Sequence, residues 1–226
     1  MGYHIGTMLI YEHFGKGKYC PLCKIKAEIN ERLTEQFLGE SVMEDSSRAR
    51  VNELGFCSSH YDKLFSMQSK LGLALQISTR LKNNTDKLVY KPINAKKAKK
   101  EADKISATLK TCVICSMLED TMVRYYKTIS RVYKDDPNFK TKILDGDGFC
   151  IEHYANLVRY SSEAGNKQDE YLETLFKAFR KKLDETENSL DEFCNHHDYR
   201  KSTAPLSEEA ANSLKTARNV LYGLNK

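Results

Sequence analysis

Gly55-Phe56-Cys57-Ser58-Ser59-His60-Tyr61-Asp62-Lys63-Leu64 returns 93 residues later as Gly148-Phe149-Cys150-Ile151-Glu152-His153-Tyr154-Ala155-Asn156-Leu157. The Gly, Phe, Cys, His, Tyr and Leu keep their places; the positions between them change. A CxxC precedes each copy. Cys20-Pro21-Leu22-Cys23 ends 34 positions before Cys57, and Cys112-Val113-Ile114-Cys115 ends 35 positions before Cys150. Recurrence at one long period marks an internal duplication. We read pseudo-repeats over about 16–90 and 108–200.

These residue types in this spacing point to metal. Structural Zn²⁺ takes four ligands in a tetrahedron, and Cys3His is one of its standard sets. Two ligands three apart sit on one side of a helical turn, with Cβ atoms about 5–6 Å apart, so both reach one ion. A CxxC then supplies half of a clamp and a CxxH the other half. The expected ligands are Cys20, Cys23, Cys57, His60, Cys112, Cys115, Cys150 and His153, holding two ions. The halves can meet within one copy, across the intervening 34 or 35 residues, or each CxxC can meet the other copy's CxxH; the spacing leaves both open. The bland alternative is a set of packed Cys and His residues carried along by duplication.

The remaining pattern is helical. Pro21 suits a first helical position, and Ile25, Ile29, Leu33 and Phe37 follow at four-residue intervals until Gly39. Residues 1–19 read as irregular. A short helix is expected over 43–54, closed by Gly55. The next begins near Cys57, with Leu64, Leu71, Leu75, Leu81 and Leu88 as core positions. In the second copy a helix runs from Cys112 to about Tyr133, a short one follows Pro137 to Leu144, and another starts near Cys150. Leu172, Phe179, Thr186 and Phe193, with Phe176, Leu183 and Leu190 between them, form a heptad-like seam for the core or for a partner helix. Pro205 opens a C-terminal helix over 203–223. We therefore expect one all-α domain over 1–226.

Composition sets the outer bounds. The chain has 226 residues, 36 basic and 31 acidic, with only 11 Gly and 4 Pro, which argues against an all-β or loop-rich fold. Residues 91–110 hold seven Lys and two acids, a net charge of +5, which equals the surplus of the whole chain. Ala98, Ala102, Ile105 and Leu109 form an apolar stripe in that segment. We expect a connecting helix that packs by the stripe and wets its lysines. No Arg enrichment or aromatic interleaving suggests a base-reading surface, so nucleic acid is disfavoured. No run is long and apolar enough for a membrane span, and the first residues do not resemble a secretory signal or a myristoylation site. Seven cysteines without an export signal fit a reducing cytoplasm better than a disulfide framework. Cys194, His196 and His197 read as a partly covered group at a helix end, where the dipole favours cations over a thiolate. His4 and His13 have no companions at ligand spacing.

The motifs resemble those of an uncharacterised bacterial family known as a domain of unknown function. Cys20-Pro21-Leu22-Cys23, Met43-Glu44-Asp45 with Arg48, Gly55-Phe56-Cys57 with His60, the second Cys/His set, and Phe193 with Asp198-Tyr199-Arg200 carry the likeness. It implies a bacterial, cytoplasmic, helical protein with metal sites and no known activity. The second CxxC departs from the pattern, with Val113 in place of Pro.

Four protein ligands fill a zinc ion and leave no position for water. No HExxH, GxSxG, Walker loop or GxGxxG is present. The expected role is therefore a non-catalytic, zinc-stapled scaffold or interaction module. Its partner, a protein or a second copy through the heptad seam, is unknown. The alternatives are a CxxC thiol redox enzyme, since a helix N-terminus favours the thiolate, and an iron–sulfur redox sensor.

Overall fold

The computed structural model describes residues 5–85, 94–198 and 205–224. The fold is all-α, with no strand among the described residues. In chain order the helices are α1 (Ile5–His13), α2 (Pro21–Leu38), α3 (Asp45–Leu54), α4 (Ser58–Ser66), α5 (Lys70–Thr85), α6 (Ala95–Thr108), α7 (Val113–Asp135), α8 (Phe139–Leu144), α9 (Ile151–Arg159), α10 (Gln168–His196), α11 (Glu208–Ala211) and α12 (Ser213–Tyr222). The chain forms two compact units. One comprises Met1–Ala27 and Met122–Lys226, the other Glu28–Thr121, so α2 and α7 contribute residues to both.

In the first unit α10 is the hub, packed against α8, α9, α11 and α12. Its core is aromatic. Phe14 meets Phe139 and Phe149 at ring distances of 5.0 and 6.2 Å, and Tyr133 meets Tyr171 at 4.8 Å. The buried face of α10 is Tyr171, Thr174, Leu175, Ala178 and Thr186. The expected seam is thus displaced by about one residue: Phe176 is 57% exposed, and of the predicted positions only Thr186 is fully buried. Two less apolar residues win the inward face for local reasons. The Tyr133 hydroxyl pairs with that of Thr174 at 2.9 Å. At Ala178 a loop glycine, Gly148, comes so close that a Cβ on it would lie 3.0 Å from the Ala178 carbonyl. Phe179 still contributes, stacking on Tyr154 at 4.1 Å.

In the second unit α3 and α4 pack on α5, around Phe37, Leu38, Val51, Leu64, Leu73, Val113 and Ile114. The expected continuous helix after Cys57 is two helices, α4 and α5, separated at 67–69. The break resets the helical phase. Leu73 and Gln76 point inward, with the Gln76 amide donating to the Phe37 carbonyl at 2.8 Å. Leu71, Leu75 and Leu81, read as core, are exposed, Leu71 by 72%. Leu88 and Pro92 lie outside the described residues.

Three more expectations are corrected. Part of the span read as irregular is α1, whose Leu9, Ile10 and His13 are buried together with Phe14 just beyond its end; the glycines in and after it disguise that helical spacing. The Lys-rich segment does form a helix, capped by Asn94 accepting from the Lys97 amide at 3.0 Å. However, no residue of it is buried, so the Ala98, Ala102, Ile105 and Leu109 stripe faces outward, Leu109 being 79% exposed. The C-terminal helix starts at Glu208, not at Pro205, because the Ser207 hydroxyl accepts from the Ala210 amide at 3.1 Å and caps it there. It is also divided at Asn212.

Leu64→Ala should therefore cost about 2–5 kcal/mol, as for a filled core site. Leu71→Ala and Leu75→Ala should stay within about 0.5 kcal/mol of wild type. Urea denaturation of the three variants checks the assignment.

Candidate metal centres

The eight predicted ligands gather in two clusters: Cys20, Cys23, Cys150 and His153 in the first unit, and Cys57, His60, Cys112 and Cys115 in the second. Each CxxC meets the CxxH of the other motif copy. Of the two arrangements that the spacing allows, the crossed one is present.

Local structure delivers each half in the same way. Cys57 and Cys150 are the N-cap residues of α4 and α9, with extended backbone at ψ 164° and 162°. Each points its sulfur across the first helical turn to the His three residues on. The preceding glycines, Gly55 and Gly148, turn at φ 67° and 77°, where a side chain would be strained. Both also accept a close neighbour. A Cβ on Gly55 would lie 2.5 Å from the Arg80 guanidinium, and one on Gly148 would lie 2.7 Å from Lys182 Cβ. Arg80 donates from there to the Asn52 carbonyl at 2.8 Å, at the end of α3, while Lys182 pairs with Asp147 at 2.7 Å. These contacts explain why Gly opens both motifs.

The CxxC halves open helices α2 and α7. In the second unit the Val113 amide donates to the Gly55 carbonyl at 2.9 Å and the Thr111 hydroxyl to the Leu54 carbonyl at 2.7 Å, tying the start of α7 to the loop before Cys57. In the first unit Lys26 pairs with Glu152 at 2.6 Å, joining α2 to α9. That pair is largely exposed, so it orients the helices more than it stabilises them.

In each cluster three sulfurs converge on one ring nitrogen. His153 Nδ1 lies 3.4, 3.4 and 3.1 Å from the sulfurs of Cys20, Cys23 and Cys150. His60 Nδ1 lies 3.2, 3.4 and 3.4 Å from those of Cys57, Cys112 and Cys115. The sulfur–sulfur edges from Cys23 to Cys150 and from Cys57 to Cys115 are both 3.8 Å. Around an ion with bonds of about 2.3 Å to sulfur and 2.0–2.1 Å to nitrogen, a tetrahedron has edges of about 3.8 Å between sulfurs and about 3.5 Å from sulfur to nitrogen. Hydrogen bonding accounts for the arrangement poorly, since one imidazole nitrogen offers a single proton or a single lone pair. The sulfurs are also too far apart for disulfides, whose bond is about 2.05 Å.

Electrostatics explain why a cation suits these clusters. Burial pushes the Cys20 thiol well above its ordinary pKa, and the neighbouring Cys150 and Cys23 sulfurs add to the shift. Cys23 moves the other way. Thiol hydrogen bonds from Cys150 and Cys20 stabilise its thiolate against burial, helped by the Leu224 amide and Lys26. In the second cluster partial desolvation of the Cys115 sulfur among its neighbours, then the Cys112 and Cys57 sulfurs, raise its pKa, although the residue as a whole is exposed. At Cys57 burial is outweighed by the Ser59 hydroxyl, the His60 amide and the Cys112 and Cys115 thiols, so its pKa falls. Within each cluster two thiols are thus driven in opposite directions. A divalent ion lets the sulfurs ionise together.

The surroundings of the two imidazoles differ. His60 Nε2 faces Asn30 Oδ1 at 2.8 Å. An acceptor there makes Nε2 the protonated nitrogen and leaves the Nδ1 lone pair for the ion. Asn30 is a member of the candidate site that sequence reasoning missed; it lies on α2 with no motif spacing to His60. His153 is buried against the Tyr126 ring, 6.2 Å between centroids, and its Nε2 has no hydrogen-bond partner among the described residues. The end of α12 was missed as well. The Leu224 amide donates to Cys23 Sγ at 3.4 Å.

None of the other described residues singled out belongs to either cluster. Cys194, His196 and His197 are exposed in the last turn of α10. His13 is buried, edge-on to Tyr19 at 6.3 Å, and His4 is outside the described residues. Met43-Glu44-Asp45 begins α3 at the surface, where Arg48 pairs with Asp45. Phe193 stacks near His197 at 4.4 Å, while Tyr199 and Arg200 are outside the described residues. No described helix is long and apolar enough to cross a membrane.

The profile of a family of unknown function, DUF6062, matches residues 1–224, and the chain belongs to that family. It is 24% identical over 181 residues, 80% of this chain and 83% of the other, to a protein described as "Uncharacterized 23.9 kDa protein in xynA 3'region" from Caldicellulosiruptor sp. (strain Rt8B.4). No solved structure matches the chain.

Asn30→Ala should weaken metal binding at the Cys57 cluster by about 10–100-fold, the usual effect of losing an outer partner of a ligating His, and leave the Cys20 cluster unchanged. Competition with a chromophoric chelator measures both.

Proposed function

We propose that this family member is a metal-stapled helical protein whose two Cys3His clusters each hold one zinc ion in a structural, non-catalytic role. The observation that carries the reading is the repeated tetrahedral set, three sulfurs about one Nδ1, with all ligand atoms of a cluster within 4.8 Å of one another. That spacing favours a single ion. An iron–sulfur cluster spreads its protein ligands over two or more irons with sulfide between them, and so needs a wider cage. A filled ligand set supports a structural role over hydrolysis.

The energy scale supports the same role. A structural zinc site contributes about 10–16 kcal/mol of apparent binding free energy at neutral pH, against about 5–15 kcal/mol of total stability for a typical domain. Each ion is thus large enough to decide whether its unit folds. In the first unit it fastens the start of α2 to the start of α9. In the second it fastens α4 to α7. The stapled units would serve as a scaffold for a protein partner. A cytoplasmic location follows from the reading, since the clusters need reduced thiols.

Elemental analysis of the purified chain should give two zinc ions per molecule and a colourless solution. A brown protein with iron and labile sulfide, or a folded protein free of metal, would overturn the assignment. Acidification should release the ions, because protons compete for the thiolates. Binding, and the stability it confers, should be complete at neutral pH and lost as pH falls. Circular dichroism during titration with acid, and separately with a strong chelator, should show helix loss tracking metal loss.

A further inference from the structure

The two clusters share a ligand set and differ in cover. In the first, Cys23, Cys150 and His153 are buried and Cys20 is partly exposed, with no ligand fully exposed. The end of α12 closes over them. Gly223, at φ 79°, lies so close that a Cβ on it would be 3.3 Å from Cys23 Sγ and 3.8 Å from Cys150 Sγ, and the Leu224 amide donates to Cys23. In the second, only Cys112 and His60 are buried. Cys115 is exposed, Cys57 is partly so, and their sulfurs are 3.8 Å apart. Cys57 is the N-cap of α4 and Cys115 lies in the first turn of α7.

We propose that the Cys57–Cys115 pair is a peroxide-reactive site whose oxidation expels the ion of the second cluster, while the covered first cluster keeps its own. The inference rests on metal occupancy of both clusters. A bound cation keeps its thiolates deprotonated at neutral pH, so the nucleophilic form is present before the oxidant arrives. The Cys115 thiolate attacks one peroxide oxygen, the O–O bond breaks, and the released hydroxide takes a proton to become water. Cys115 is then a sulfenic acid. The Cys57 thiolate attacks that sulfur, an S–S bond forms, and the second hydroxide leaves as water with another proton. Two electrons pass from the two sulfurs to hydrogen peroxide. The ion loses two of its four ligands and departs as the dication.

The test uses the full chain as purified, after metal analysis has established two ions per molecule. Hydrogen peroxide is added in the presence of a chromophoric zinc indicator, and the cysteines are then mapped by mass spectrometry. One of the two ions should appear in solution, together with a Cys57–Cys115 disulfide peptide, while Cys20, Cys23 and Cys150 stay reduced. In a chain ended at Tyr222, with helicity checked by circular dichroism, the first ion should become labile as well. Simultaneous loss of both ions from the full chain, earlier loss from the Cys20 cluster, or retention of both with Cys115 unmodified would each overturn the inference and leave the metal reading intact. A chain that holds no metal before oxidant is added fails the metal reading itself, and the inference falls with it.

Discussion

Three sulfurs facing a single imidazole nitrogen is a demanding arrangement, and much of the local structure around it is shaped by that demand. The sulfurs repel one another once ionised and resist ionisation when buried, so they must be brought together by surrounding packing. Helix N-termini do this twice over in each cluster. They place two ligands within one turn and direct their dipoles at the thiolates. The glycine turns before Cys57 and Cys150 serve the same end, because a positive φ lets the chain enter the helix with the N-cap sulfur aimed across its first turn. Arg80 and Lys182 then occupy the space that a side chain at those glycines would need.

The candidate ligands were legible because their chemistry is written in residue type and local spacing. A CxxC or CxxH brings its two groups together whatever the rest of the chain does. Which half meets which was not legible, since both motif copies present equivalent halves and the choice is made by distant packing. Phe14 against Phe149 and the Val113 amide on the Gly55 carbonyl are examples of contacts that no local pattern encodes. Asn30 was missed for the same reason. Its role exists only because His60 comes to lie beside it.

Helix content was legible, whereas helix register was less so. Before α5 a short break at 67–69 shifts the phase, and leucines spaced as a core stripe end up outside. In α10 the most apolar residues do not define the buried face, since Ala178 is favoured where a loop comes close and Thr174 where a tyrosine hydroxyl needs a partner. The exposed stripe of α6 shows the converse, an amphipathic pattern with clear periodicity and no buried residue. Periodicity reports that a face differs from its opposite; it does not report what covers it.

The crossed pairing has a consequence for biogenesis. Ligands of the Cys57 cluster are 52–58 residues apart across its two halves, and those of the Cys20 cluster 127–133. Closing the longer loop costs under about 1 kcal/mol more in chain entropy, so thermodynamics hardly separates them. Vectorial synthesis does. On the ribosome, Cys20 and Cys23 emerge before any histidine-bearing half, and the first such half they meet, Cys57 and His60, belongs to the other cage. A nascent chain that captured metal at that stage would hold Cys20, Cys23, Cys57 and His60, and would have to exchange ligands once Cys112 and Cys115 arrived to reach the crossed arrangement.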